Sequence, residues 1–388
     1  EATSADILIS DETGRTIDAR ASLFCPSINV TARLVDVGFG MPHEIKSLNQ
    51  NLEGTVALMA SGYEPFTFPE SLTLRLERLS KLGVLACITP HPTGGRHTAH
   101  GHASDWRDHN PNDVPLPLIH TSREDGALLI RRANAGASVT VHVDSKQLKK
   151  TSSNVIGDLK GKNWPDEWII LGAHHDTTVD SPGANDNASG CTVVLETARL
   201  LARLEQEYNI SPGRSIRFAT FGSEEQGLQG STAFVKKHYG NDPIPRLMIN
   251  LDELATGAMK GVALQFPQLR PLIQRELDAM NEGLTCHVMS QMDSSGDMFP
   301  FALRGIQSGM LWRWRFVGRH PDASFGHSSS DTLDKVRTRE LKEYAGLLAR
   351  LLLRVSHTTP DQWPEKSLDI DEIATRTANE RGSAARTM

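Results

Sequence analysis

The chain has 388 residues and a net charge of −6, an imbalance too mild and of the wrong sign for a nucleic-acid or acidic-lipid surface. Its length excludes one small core and predicts two domains, and no apolar run reaches the roughly 20 residues of a membrane helix. Four dispersed cysteines, Cys25, Cys87, Cys191 and Cys286, make no CxxC pair. They fit buried free thiols better than a zinc ribbon or a disulfide framework. The chain opens on Glu1 with no apolar signal stretch, as a mature or trimmed form would, so the compartment is left open.

Through the first 150 residues short β-like runs alternate with helical pieces. Ile7–Ile9, Ile28–Val30, Thr55–Met59, Val84–Ile88 and Ala137–Val143 read as strands, and Ser71–Leu82 and Glu124–Ala133 as helices. The stretch Thr89–Pro115 is rich in Gly, His, Pro and Asn and reads as an exposed, mobile loop. Its histidines (His97, His100, His102 and His109) fit no ordinary ligand spacing and are expected to be solvated. With Trp106, the loop is long enough to reach over a cleft as a lid.

After the polar run Lys149–Ser153 the pattern changes. Trp168–Leu171 is a buried-strand run leading into Gly172-Ala-His174-His175-Asp176. Ser189–Gln206 has helical spacing, with Val193, Thr197, Leu200 and Leu204 on one face and Ser189 as its cap. Strands follow at Ile216–Phe221, Arg246–Leu251 and Met310–Trp314, and helices at Leu269–Met280 and Thr338–Val355. The polar tail from Thr358 is expected to be loosely ordered beyond Ile373. Strands alternating with helices predict an α/β domain over 151–360 with a mostly parallel mixed sheet flanked by helices. A smaller β-rich domain over 1–150 precedes it, and a polar tail over 361–388 follows. In such sheets ligands bind at the carboxyl ends of strands. His174, the pair Glu224-Glu225 and Asp252 each stand just after an apolar run, at such an end.

Alone, each of these signals is weak. A Glu-Glu pair is ordinarily a solvated turn, and Asp186 within Gly183-Ala-Asn-Asp186-Asn-Ala-Ser-Gly190 would ordinarily form a turn. Alternation along the strand sends His175 away from His174. Together, however, His174, Asp186, Glu225, Asp252 and His327 supply the imidazole and carboxylate ligands of two zinc ions sharing one carboxylate. Adjacent side chains diverge, so one of Glu224 and Glu225 binds metal while its neighbour handles the proton.

The motifs Gly-Ala-His174-x-Asp176, Gly-Ala-Asn-Asp186-Asn-Ala-Ser-Gly, Ser-Glu224-Glu225-x-Gly-Leu-x-Gly-Ser, Asn-Leu-Asp252 and His327-Ser-x-x-Asp331-Thr resemble those of the M28 family of di-zinc aminopeptidases. They run in that family's order over about residues 165–335. The resemblance implies that His174 and Asp252 hold one zinc, Glu225 and His327 the other, and Asp186 bridges them. It further implies that Glu224 is the general base and that Asp176 hydrogen-bonds the far nitrogen of His174, with Asp331 supporting the His327 loop in the same way. The runs Leu52–Met59, Leu82–Thr89, Leu116–Ile119 and Ala137–Val143 are similar to a protease-associated domain, which in this family is inserted before the His-x-Asp motif.

Ser294–Phe301, with Asp297, resembles the family's Ser-Asp-His-x-x-Phe segment, but Met298 stands where that family has histidine. Trp312, Arg313, Trp314 and Arg315 alternate along a strand. They read either as a pocket that pairs with a substrate carboxylate or as a strand with one packed and one charged face. The expected reaction is hydrolysis of a peptide or small amide, most simply removal of amino-terminal residues. An amidase or N-acyl amino acid hydrolase is one alternative, and a single-zinc enzyme resembling glutaminyl cyclase another. A non-catalytic binding protein would show broken ligands, and this chain shows none. A serine hydrolase is rejected because Gly326-His327-Ser328-Ser329-Ser330 lacks the closing glycine of the nucleophile elbow, and no HExxH is present. No nucleic-acid or membrane partner is expected; self-association is left open.

Overall fold

A computed structural model of the chain describes residues 2–11, 13–62, 70–102, 114–241, 243–255, 259–283, 285–314, 325–364, 371–373 and 375. Its amino-terminal part runs β1 (Ala2–Asp11), β2 (Thr16–Ile17), β3 (Ala19–Ala21), β4 (Ile28–Asp36), α1 (Pro42–Ser47), β5 (Val56–Leu58), α2 (Leu72–Lys81), β6 (Ala86–Pro90), β7 (Leu118–Thr121), α3 (Arg123–Asn134) and β8 (Ser138–Gln147). These strands form one mixed sheet in the order β2-β1-β8-β4-β5-β6-β7-β3, parallel through β4, β5, β6 and β7 and antiparallel elsewhere. Period-two alternation fills both faces. Leu34, Val56, Leu58 and Ile88 pack with Leu129 of α3 on one side, and Val35, Ala57, Met59 and Cys87 with Leu76 and Leu79 of α2 on the other. The Ser71 and Ser122 hydroxyls cap α2 and α3 by accepting the N–H groups of Leu74 and Asp125.

The remainder runs β9 (Val155–Leu159), β10 (Trp164–His174), α4 (Ala188–Tyr208), β11 (Arg214–Phe221), α5 (Gln229–Tyr239), β12 (Leu247–Leu251), β13 (Met259–Leu264), α6 (Arg270–Ala279), β14 (Cys286–Ser290), α7 (Met298–Leu303), β15 (Ser308–Trp314) and α8 (Thr338–Ser356). The second sheet has the order β14-β13-β15-β12-β10-β11-β9. Its pairs are parallel except β9 with β11 and β13 with β15, so it is mixed and mostly parallel, flanked by helices, as the alternation predicts. Ile169, Leu171 and Ile249 face a core shared with α4, α6 and α8. Ile170, Phe221 and Met248 face Phe234 of α5 and Met298 and Phe301 of α7.

A fully buried Arg214 closes the base of this unit. It donates to Glu167 at 2.7 Å and to the carbonyls of Ser356 and Thr358. Its guanidinium also lies 4.4 and 5.1 Å from the ring centroids of Trp164 and Trp363. No described helix is long and apolar enough to cross a membrane. The four cysteines are free, and three of them are buried.

Two sequence expectations need correction. The cap of α4 is Asn187, whose side chain accepts the Gly190 N–H at 2.9 Å, whereas the Ser189 hydroxyl donates back to the Asn185 carbonyl at 2.6 Å. The edge strand β9 escaped the pattern because Val155–Asp158 are all exposed, which leaves no alternation to read. Of the expected tail, Ile373 is buried against Phe266 and Ala302; beyond it only Thr375 is described.

The chain leaves β10 for β11 on one side and then crosses to β12 on the other. The strand order therefore reverses at β10, where doubly wound sheets place their ligands. Because β11, β10 and β12 are parallel, their carboxyl ends open at one edge.

Candidate metal centre

His174 is the last residue of β10 and is paired with Phe221 at the end of β11. Glu224 and Glu225 occupy the turn after β11, Asp252 follows β12, Asp186 immediately precedes α4, and His327 lies between β15 and α8. Thus the end of β10 and four separate loops converge on one edge of the sheet.

The two imidazoles are oriented alike. His174 Nδ1 lies 3.0 Å from the Asp176 carbonyl oxygen, and His327 Nδ1 lies 3.1 Å from the His100 carbonyl oxygen. A carbonyl only accepts, so both Nδ1 atoms carry a hydrogen, and Nε2 is the atom each neutral ring would offer to a metal. His174 Nε2 faces Asp186 Oδ1 at 3.2 Å, Asp252 Oδ1 at 3.4 Å and Glu224 Oε2 at 3.9 Å. His327 Nε2 faces Asp186 Oδ2 at 3.1 Å and Glu225 Oε2 at 3.0 Å. Asp186 therefore turns one carboxylate oxygen to each imidazole. Two atoms each about 2.1 Å from a tetrahedral ion stand roughly 3.4 Å apart, close to the separations from Asp186, Asp252 and Glu225.

The electrostatics fit a cation. Glu224, Glu225 and Asp186 are buried, and Glu225 Oε1 and Asp252 Oδ1 find no hydrogen-bond partner among the described residues, an arrangement costly unless positive charge is close by. Burial, reinforced by neighbouring carboxylates, pushes Glu225 up to about 7 and Asp252 up to about 6. The same causes hold Glu224 well above its ordinary range. Asp186 goes the other way, because the two imidazoles outweigh its burial and hold it far down. His174 and His327 are raised although burial opposes it, chiefly by Glu224 and Asp252 around the first and by Glu225 and Asp186 around the second. The compact groupings of possible ligand atoms are His174 with Asp186 and Glu225, and His174 with Glu224 and Asp252. Of the three carboxylates within 4 Å of His174 Nε2, Glu224 is the most distant.

Two supporting carboxylates differ from the sequence expectation. The Asp176 carboxylate stands 3.7 Å from His174 Nδ1, whose closer partner is the Asp176 carbonyl. Instead it accepts the backbone N–H groups of Glu224 at 3.1 Å and Glu225 at 3.3 Å. Asp331 does not reach the His327 side chain. The two oxygens of its carboxylate accept the N–H groups of Asn185 at 2.8 Å and Asp186 at 3.0 Å, so it holds the turn that carries Asp186. That turn is also tied to the strand after the crossover, since Asn187 Nδ2 donates to the Leu251 carbonyl at 2.8 Å and Ser189 Oγ accepts the Leu254 N–H. A Cβ on Gly190 would come within 2.3 Å of Asn187 Oδ1 and 2.6 Å of the Leu251 carbonyl, which explains glycine there. The Gly183–Gly190 motif contained all of these roles, but read locally it spoke only of a turn.

The histidines of the amino-terminal loop are not the solvated group expected. His100 is buried, and its N–H donates to the His327 carbonyl at 2.9 Å. Ala99 and Ser328 form an antiparallel bridge, and His97 Nδ1 lies 2.8 Å from Ser330 Oγ. His109 and Trp106 lie outside the described residues. Asp297 is fully buried and neither oxygen finds a hydrogen-bond partner among the described residues; burial pushes it up to about 7. Met298, at the resembling family's histidine position, is a core residue of α7. Trp312, Arg313 and Trp314 lie on β15 opposite Gly261, Lys260 and Met259. Their side chains, and all of Arg315, lie outside the described residues.

Comparison with known proteins bears on the family and the fold. The model of Peptidase family M28 matches residues 154–352. A curated relative, "probable leucine aminopeptidase 2" of Aspergillus oryzae, is 29% identical over 309 residues, covering 76% of this chain and 58% of its own length. The chain thus spans a little over half of that relative. Among solved structures, a peptidase M28 precursor from Shewanella amazonensis superposes with a TM-score of 0.74 at 17% identity, covering 95% of this chain and 84% of the other. BSAP, described as a zinc aminopeptidase from Bacillus subtilis, gives 0.68 at 22%, covering 92% and 83%. At these identities the likeness speaks to the fold.

Proposed function

The chain belongs to peptidase family M28, and from that premise we propose that it is a zinc-dependent aminopeptidase. Zinc would be held as a pair of ions, by His174 and Asp252 on one side and by Glu225 and His327 on the other, with Asp186 bridging. The observation that carries this reading is the Asp186 carboxylate divided between two imidazoles at 3.2 and 3.1 Å, with Glu225 Oε1 and Asp252 Oδ1 left without hydrogen-bond partners among the described residues. The name of the curated relative, an aminopeptidase, supports the same activity.

When bound, zinc supplies Lewis acidity toward the scissile carbonyl and makes an attacking water acidic near neutral pH. The chain's own residues do the rest. The Asp176 carbonyl and the His100 carbonyl hold the two imidazoles with Nε2 free to coordinate. Asp176 clamps the backbone of the Glu224-Glu225 turn, so the two side chains leave it in different directions. Glu225 faces His327. Glu224, deeply buried and with its carboxyl raised by burial, is suited to take a proton from the attacking water, hold it, and return it to the leaving amine.

The amino-terminal sheet is read as the protease-associated type of insertion, on the resemblance of its strand runs. The expected substrate is a peptide with a free amino terminus. Hydrolysis of amino-acyl anilides and dipeptides, abolished by a chelator and restored by zinc, tests the proposal. Cleavage confined to N-acylated amino acids would replace it with an acylase reading.

A further inference from the structure

His327 does not stand on its own loop alone. Its backbone has φ of +59°, a left-handed conformation uncommon for residues with a side chain, though histidine is among those that adopt it more readily. The segment packed on it comes from the other sheet. Segment 97–102 lies along the His327 loop, with His100 N–H donating to the His327 carbonyl and His327 Nδ1 donating back to the His100 carbonyl. Next to this pair are the Ala99–Ser328 bridge and the 2.8 Å contact of His97 with Ser330 Oγ. The His97 ring also meets Phe325 edge-on at 5.5 Å. On its far side the segment is anchored to the amino-terminal sheet. His100 Nδ1 donates to the Ala21 carbonyl at 3.2 Å, and Leu23 N–H donates to the Gly101 carbonyl at 2.9 Å.

We infer that His97 and His100 are positioning residues for His327, so that the amino-terminal sheet completes one half of the metal centre. If the segment is released, the imidazole loses the acceptor that keeps its hydrogen on Nδ1. It can then turn or present Nε2–H in place of the lone pair. The effect is one-sided, because the acceptor for His174 Nδ1 belongs to the loop directly after β10 and is untouched by this segment. The inference rests on the two-ion reading above.

The test uses the full chain, stripped with chelator and titrated with zinc, and with cobalt as a spectroscopic reporter of each site. His97 is only partly buried, so His97→Ala is the primary variant and His100→Ala the second. Both are expected to weaken the ion that His327→Ala abolishes by about 10–100-fold, the usual effect of removing a ligand's outer partner, and to leave the other ion unchanged. His97→Asn, whose amide can still reach Ser330, should recover most of the affinity. Arg20→Ala breaks the 3.2 Å contact with Asp180, which joins the same two sheets without touching His327, and should change neither ion. Equal affinity for every bound ion in the wild type and both alanine variants overturns the inference, whether the chain takes up two ions or one. So does an Arg20→Ala chain weakened as much as His97→Ala. A wild type that binds no ion overturns the metal reading itself.

Discussion

Asp176 accepts the backbone N–H of Glu224 at 3.1 Å on one carboxylate oxygen, while the other takes that of Glu225 at 3.3 Å. A single carboxylate thereby sets the turn from which the proposed base and the proposed ligand diverge, and Ser223 just before it holds a left-handed φ of +59°. Asp176→Ala should lower kcat by about 10–100-fold while zinc content, measured by atomic absorption, stays near the wild-type value. Loss of zinc equal to that of Glu225→Ala would show that Asp176 serves the ligands instead.

The adjacent glutamates should separate cleanly. Glu224→Gln keeps a side chain of the same shape but cannot take a proton, so kcat should fall by about 10²–10⁴-fold with zinc retained. Glu225→Ala should lose zinc. Retained turnover in Glu224→Gln refutes its assignment as base.

Asp186 is within reach of both imidazoles, so its removal should not spare either ion. Asp186→Ala is expected to bring bound zinc below one ion per chain and turnover to background. One tightly held ion in that variant, seen by calorimetric titration, would show that Asp186 does not bridge.

Asp297 gives a pH signature in the metal-free chain. Burial raises it from 3.8 to about 7 in the folded state, so the folded chain binds this proton more tightly than the unfolded one. The resulting stability is fully present below the unfolded value and is lost as pH rises through about 7. Asp297→Asn removes the ionisation. Its melting temperature should therefore exceed that of the wild type at about pH 8, and the gap should narrow at about pH 5. A gap that does not change with pH contradicts the buried charge.

Arg214 should be the most costly single side chain in the sheet's base. Arg214→Met strips donors from two buried carbonyls and one partner from Glu167, at roughly 3–5 kcal/mol. A urea midpoint within experimental error of the wild type would exclude this.

The sequence by itself determined the alternation of strands and helices and the order of the motifs. Both are local: Trp168–Leu171 and Ile216–Phe221 are apolar runs with one physical fate, and His174, Glu224, Glu225 and Asp252 stand just past such runs. The line of motifs therefore already contained the residues proposed as ligands. What it could not contain is who supports whom. Asp176 was expected beneath His174 and instead clamps the glutamate turn. Asp331 was expected to support the His327 loop through its carboxylate, which instead holds the turn of Asp186. Ser189 was expected to cap α4, a role Asn187 takes. Each mistake concerns a short polar side chain, and such a side chain can bond any of several backbone groups within a few ångströms. The choice among them is made by distance in space, which the linear order does not encode. His100 is the extreme case. It lies 227 residues from His327 in a loop whose composition reads as solvent-exposed, and only the packing of one sheet's loop against the other places its carbonyl at the imidazole.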